Sequence, residues 1–210
     1  SIGEMCGNGA RCISRYAYIN NIAGKKMTFE TGAGIVNSEI LVGRLVKVLL
    51  NNPEVIRLYN DIEIDGINYE CSYIELGAPG LPHAVVKYNL KQADVNKLRE
   101  EGIKIRYYDG FTKGANVNFF EVLNENTALV KTYERGVEDF TLACGTGSAS
   151  TAAALILKGY LKGNTVKIIN DGGELFIEVE KTDNKINKLF LIGTTNIVAI
   201  GKVMDEDLII

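Results

Sequence analysis

Four cysteines and one histidine are the residues of this 210-residue chain best suited to chemistry, and two of the cysteines share a context. Cys6 stands in Met5-Cys6-Gly7-Asn8-Gly9-Ala10, and Cys144 in Ala143-Cys144-Gly145-Thr146-Gly147-Ser148. Each Cys-Gly-x-Gly runs into small and apolar residues at spacings of three and four, the pattern of a helix. A cysteine there lies at a helix N-terminus, among unpaired backbone N–H groups and a partial positive charge. The glycines let the backbone approach a ligand closely, so each loop suits an anion. The same setting is expected to lower the thiol pKa and favour thiolate. Two such loops facing each other would hold a carboxylate-bearing substrate between two thiols. One thiolate would take a proton from the carbon beside the carboxylate while the opposite thiol returns one, inverting the stereocentre. The backbone amides would stabilise the charge that builds on the carboxylate as the proton leaves.

Positioning two such loops requires two similar structural units. Helices are expected at Asn8–Asn21 and Thr146–Lys158, with an exposed, charged one at Lys91–Gly102 that Gly102 would stop. Strands are expected at Lys26–Glu30, Ile35–Val42, Leu45–Leu49, Asp61–Ile64, Tyr69–Leu76, Ala84–Val86, Asn116–Leu123 and Thr127–Thr132. Further strands are expected at Val166–Ile169, Leu175–Val179, Leu189–Ile192 and Asn196–Val203. After each cysteine-led helix comes a strand and then a turn at Gly32 or Gly172, in matching order. That internal repeat implies two similar halves. Asn51-Asn52-Pro53 marks the boundary between strand-rich stretches. The class is α+β, many short strands around few helices. The small-residue run Ser148–Ala154 reads as a helix packed inside a sheet, and Lys97–Lys104 as a solvated helix face.

Composition removes other chemistries. With His83 the only histidine, no metal site can be built on imidazoles, and no Cys-x-x-Cys pair suggests thiolate ligation. No pyridoxal-lysine motif is visible, so no cofactor and no metal are expected, and the chemistry runs on thiols and dipoles. Lys and Arg total 23 against 26 acidic residues and are scattered, which argues against a nucleic-acid partner. No apolar run reaches the roughly 18 residues of a membrane span, and no signal peptide is seen, so a cytoplasmic protein with reduced thiols is expected. Cys12 does not share the helix face of Cys6; Cys12 and Cys71 read as structural. The opening at Ser1, without a Met and so close to a motif, suggests a chain lacking its natural N-terminus.

The stretches EMCGNGARC and YERG…TLACGTG, with PHAVV around His83 and ANVNF around Asn116, resemble the diaminopimelate epimerase family of cofactor-independent amino-acid racemases and epimerases. The resemblance covers nearly the whole chain in order. It implies interconversion of LL- and meso-2,6-diaminopimelate, in lysine and peptidoglycan precursor synthesis, with Cys6 and Cys144 as proton carriers. It implies that His83 and Glu134 polarise the thiols and that Arg135 binds the distal carboxylate. Asn116 matches a substrate-binding asparagine, and Gly7, Asn8, Gly9, Gly145 and Thr146 match the cradles of the reacting carboxylate. The implied fold is two pseudo-symmetric halves, each a barrel-like, mostly antiparallel sheet around a central helix, with the site in the cleft between them. Residues 1–51 plus about 195–210 would form the first half and 52–194 the second. The family also implies a small amino-acid substrate with two carboxylates, and a homodimer.

Two departures stand out. Where many members read Gly-Asn-Pro-His, this chain has Gly80-Leu81-Pro82-His83, so an apolar Leu81 replaces a substrate-contacting amide and distal recognition is expected to differ in detail. Members also carry several dozen residues ahead of the first cysteine motif; a chain without them would have an incomplete first half and little activity. Rival readings are a racemase of another amino acid, of proline or histidine type, on the same fold, and a non-catalytic anion-binding module. Asn8 favours the epimerase, since proline racemases typically resemble Cys-Gly-His-Gly there. A disulfide between Cys6 and Cys144 is expected only as an oxidative side reaction.

Overall fold

The computed structural model describes residues 6–32 and 34–201. In chain order the elements are α1 (Gly7–Ile19), β1 (Lys26–Thr31), β2 (Gly34–Ile40), β3 (Leu45–Leu50), β4 (Pro53–Arg57), β5 (Ile62–Ile64) and β6 (Ile67–Tyr69). Next come β7 (Cys71–Leu76), β8 (Leu81–Lys87), α2 (Val95–Arg106), β9 (Asn116–Asn124), β10 (Thr127–Glu134) and β11 (Asp139–Thr141). The chain closes with α3 (Gly145–Leu157), β12 (Thr165–Asn170), β13 (Gly173–Thr182) and β14 (Lys185–Thr194).

One large sheet runs in the order β1-β2-β3-β14-β13-β12-β10-β9-β8-β7-β4, with β11 paired to β10, while β5 and β6 form a separate hairpin. The internal repeat is visible in that order. Each cysteine-led helix is followed by three antiparallel strands, α1 by β1-β2-β3 and α3 by β12-β13-β14. The last strands of the two units, β3 and β14, pair antiparallel from Leu50↔Leu189 to Leu45↔Thr194. The unit order on one side of that seam therefore mirrors the order on the other. The remaining strands extend the second side, with parallel joins at β10–β12 and β8–β9.

The sheet curls around α3, which touches strands from β7 to β10 and from β12 to β14. Every residue from Gly145 to Ile156 is buried, and all but the last two are Gly, Ala, Ser or Thr. A helix enclosed by strands leaves no room for larger side chains, so the small-residue run is a packing requirement, as its sequence suggested. α1 packs on β2 and β3 through Ala10 and Ser14, and Ser14 Oγ donates to the Ala10 carbonyl and meets Ser38 Oγ at 2.7 Å. The α+β class read from the sequence is the one observed.

Several local expectations need correction. α2 does not stop at Gly102 but continues to Arg106, because Gly102 faces Tyr133, where a methyl group would lie 3.1 Å from the ring. Its charged stretch is not wholly solvated either, since Glu101 is buried with Leu98 and Ile105. The expected strand Tyr69–Leu76 is two strands broken at Glu70. Residues 196–201 form no strand, and the rest of the expected strand Asn196–Val203 lies outside the described residues. β4 and β11 went unforeseen; β4 tolerates Pro53 because it is an edge strand.

Candidate active site

The two cysteines occupy the same position twice. Cys6 and Cys144 are the N-caps of α1 and α3, both in extended backbone conformation. The sulfur of Cys6 accepts from the Gly9 N–H at 3.3 Å, and that of Cys144 from the Gly147 N–H at 3.4 Å. The side chains usual at this position are Ser, Thr, Asp and Asn, and a thiol is a weak substitute. Neither helix carries an acidic residue in its first turn to offset the positive end of its dipole.

Those two positive ends meet. A methyl group built on Gly7 would lie 2.5 Å from Leu191 Cδ2 and 3.9 Å from Gly145 Cα. One built on Gly145 would lie 2.8 Å from the same Leu191 carbon and 3.7 Å from Gly7 Cα. Only glycine lets the mouths come this close, and Leu191, on β14 at the seam, is the floor under both. Asn8 braces the contact, its Nδ2 donating to the Ala143 carbonyl at 3.5 Å and its Oδ1 accepting from Arg11 Nη2 at 3.0 Å. The two amide clusters thus converge on one region, an arrangement suited to an anion.

The thiols differ in environment. Cys6 is exposed, whereas Cys144 is only 8% exposed. Burial, and secondarily the charge of Glu134, pushes the Cys144 thiol up to about 11; bonds from Thr146 and Gly147 offset this only in part. The expectation of a lowered pKa is therefore overturned for this cysteine: desolvation outweighs the helix amides, and Cys144 is a thiol at neutral pH. Cys12 is exposed and Cys71 buried, and both are free thiols.

The other candidates lie on β8, β9 and β10 beside α3. His83 is fully buried on β8, across from Asn116 on β9. Burial, then the nearby Arg135 charge, pushes its pKa down to about 3, so the ring is neutral. The Asn116 side chain joins two segments: Nδ2 donates to the Pro82 carbonyl at 3.0 Å and Oδ1 accepts from the Arg135 N–H at 2.9 Å. Asn116 thereby fixes the residue before His83 and the residue after Glu134 with one amide. The Arg135 guanidinium is tethered through Nη1 to the Lys113 carbonyl at 3.2 Å. Thr146 Oγ1 lies 3.5 Å from the Cys144 sulfur.

Three contributors escaped the sequence reading. Leu191 is the shared floor, Arg11 orients Asn8, and Asn118 joins His83 to the α3 mouth. Only Asn118 had a sequence signal, since residues two apart on a strand share a face and Asn116 was already a candidate. Among the described residues no group of three His, Cys, Asp or Glu side chains could hold a metal ion.

Comparison with solved structures gives the fold class. A probable proline racemase from Agrobacterium radiobacter aligns at a TM-score of 0.67 and 17% identity, over 97% of this chain and 69% of that one. A hydroxyproline epimerase from Agrobacterium vitis aligns at 0.67 and 15%, over 90% and 63%. The chain thus shares the fold of these two proteins. Among sequences, diaminopimelate epimerase of Aquifex aeolicus is 38% identical over 98% of this chain and 72% of its own length. That of Hydrogenobaculum is 38% identical over the same shares, and that of Archaeoglobus fulgidus 39% over 85% and 65%. The family model for diaminopimelate epimerase matches residues 78–198. The chain belongs to the diaminopimelate epimerase family.

Proposed function

We propose that this chain interconverts LL- and meso-2,6-diaminopimelate by a two-base reaction of Cys6 and Cys144, without a cofactor. The observation that carries the reading is the contact of two cysteine-capped helix mouths at Gly7 and Gly145, neither with an acidic residue in its first turn. A carboxylate at that contact receives amide donors from both helices. With Cys144 a thiol at neutral pH, Cys6 as thiolate takes the Cα proton and Cys144 delivers its own to the opposite face. Cys6 is left as thiol and Cys144 as thiolate, ready for the reverse reaction. The charge that builds on the α-carboxylate spreads over the amides of Gly7, Asn8, Gly9, Gly145 and Thr146. Glu134 and His83 polarise the thiols, Asn116 contributes a substrate contact, and Arg135 anchors the distal carboxylate.

The symmetric strand order supports a division into residues 1–51 plus about 195–210 and residues 52–194, meeting at β3–β14. Family membership supports the remaining expectations: a cytoplasmic homodimer serving lysine and peptidoglycan precursor synthesis. Among the described residues no helix is long and apolar enough to cross a membrane.

The decisive experiment is deuterium uptake at Cα from D2O. Uptake with diaminopimelate that disappears in both Cys6→Ala and Cys144→Ala supports the reading. Uptake with proline and none with diaminopimelate would instead select the racemase reading, which the fold shared with the hydroxyproline epimerase keeps in view. Anion binding that survives both substitutions, with no uptake for any amino acid, would leave only a binding module.

A further inference from the structure

His83 is the sole imidazole of the chain and is fully buried, yet only one of its ring nitrogens has a partner. Nδ1 lies 3.3 Å from Asn118 Nδ2, whereas Nε2 has no hydrogen-bond partner among the described residues and no access to solvent. Leaving a buried polar atom unpaired is costly, so such an atom is usually kept for a purpose.

The neighbours of Asn118 decide which nitrogen carries the proton. Asn118 Oδ1 accepts from Thr132 Oγ1 at 2.9 Å, across the β9–β10 pair. Asn118 Nδ2 faces two backbone carbonyls, Ala84 O at 3.1 Å and Asn116 O at 3.4 Å. A carbonyl can only accept, so the NH2 end of the amide must sit on that side, and flipping it would set oxygen against oxygen. The group facing Nδ1 is therefore a donor. Nδ1 must be the acceptor, and in a neutral ring the proton then belongs to Nε2.

Asn118 also supports the thiol loop. A methyl group on Gly147 would lie 2.2 Å from Asn118 Oδ1, so the first turn of α3 rests on this amide. Gly147 is the residue whose N–H caps the Cys144 sulfur. Ring and thiol loop therefore share one buttress.

We infer that Asn118 is a positioning residue that locks His83 as the neutral Nε2–H tautomer, making the imidazole, next to the amide that buttresses the Cys144 loop, a hydrogen-bond donor and never a base. The inference rests on the two-thiol reading for its use in catalysis, but the tautomer itself is open to direct measurement. On that reading, negative charge that forms in the site is met by a ring that donates and does not compete for the proton. The sulfurs alone then carry protons, and the ring keeps its own.

With one histidine in the chain, ring-15N-histidine labelling of the 210-residue protein yields a single imidazole to read by NMR. The expected spectrum has a pyridine-type Nδ1 and a pyrrole-type Nε2, unchanged from mildly acidic to mildly alkaline pH. A pyrrole-type Nδ1, or an imidazolium at neutral pH, overturns the inference. Asn118→Leu removes the donor and is expected to populate the Nδ1–H tautomer and to lower kcat on the order of a hundredfold with KM little changed, short of the roughly 10⁴-fold cost of a fully wrong tautomer in a catalytic triad. Thr132→Val, which loosens the amide without touching the ring, should move both readouts the same way to a smaller extent and serves if Asn118→Leu does not fold. Unaltered tautomer and kcat in these variants count against the inference. An active wild-type protein with the other tautomer refutes this inference alone. The stated tautomer in a protein that exchanges no Cα proton of diaminopimelate refutes the epimerase reading and, with it, the catalytic use of the donor.

Discussion

Leu191 offers the sharpest test of how the two helix mouths are held together. Replacing Gly145 by Ala places a methyl 2.8 Å from Leu191 Cδ2, where comfortable carbon contacts begin near 3.5 Å, an overlap of about 0.7 Å. Leu191 is fully buried, and the same Cδ2 is the atom that a Gly7 methyl would strike, so a shift away from one mouth finds little free space. Overpacking of this kind costs about 1–3 kcal/mol. Leu191→Ala alone opens a cavity and should cost about 2–5 kcal/mol. Combined, the two changes should partly cancel, because the new methyl enters the vacated space. The double-mutant cycle is then expected to show about 1–3 kcal/mol of favourable coupling. Urea unfolding at unchanged m-value reads it. Deuterium uptake should fall in Gly145→Ala, since misplacing a reacting group by about 1 Å can cost on the order of a hundredfold. Additivity within about 0.5 kcal/mol would refute the shared floor, and with it the account of why both mouths need glycine.

Other outcomes follow from the same structure. Cys144 and Cys71 have folded-state pKa values pushed from 9 up to about 11 and about 12, chiefly by burial. Their contribution to stability is full below pH 9 and disappears as pH rises through those values, so a urea midpoint that stays level from pH 9 to pH 11 would contradict the burial argument. Alkylation followed by mass spectrometry should label the exposed Cys6 and Cys12 rapidly at mildly alkaline pH and the buried Cys71 and Cys144 slowly; equal labelling of all four would contradict the burial of the latter two. Gly102→Ala should destabilise by about 1 kcal/mol despite the better helix propensity of alanine, because Tyr133 is held by Phe140 and by its bond to the Glu138 carbonyl; a higher melting temperature would show that the ring gives way.

What the sequence disclosed was local, and what it withheld was not. The cysteine caps, their helices and the repeat could be read because the Cys-Gly-x-Gly pattern and the spacings that follow lie within a few dozen residues. The small residues of α3 announced an enclosed helix for the same reason. The floor under the two mouths could not be read, since Leu191 looks like any strand leucine until β14 pairs with β3 more than a hundred residues away. The raised pKa of Cys144 was hidden likewise: the helix-dipole argument is visible in sequence, but burial depends on the whole sheet closing over the thiol. The β-branched Ile197, Val198 and Ile200 suggested a strand, yet among the described residues no neighbouring strand pairs with residues 196–201, and β-branched side chains alone do not supply the ladder bonds. Gly102 was read as a stop because glycine commonly ends helices; here it makes room for an aromatic ring.

The seam between β3 and β14 has a further consequence. An antiparallel join between the last strands of two like units is what a symmetric pair of separate half-length chains would form, each offering the same surface to the other. Two identical partners would have to present identical sulfurs on either side of a substrate. Fusing them into one polypeptide removes that requirement, so the two loops need not match: Thr146 stands in the Cys144 loop where Asn8 stands in the Cys6 loop. Each side can then be altered by substitution without altering the other, a freedom that two copies of one half-length chain lack.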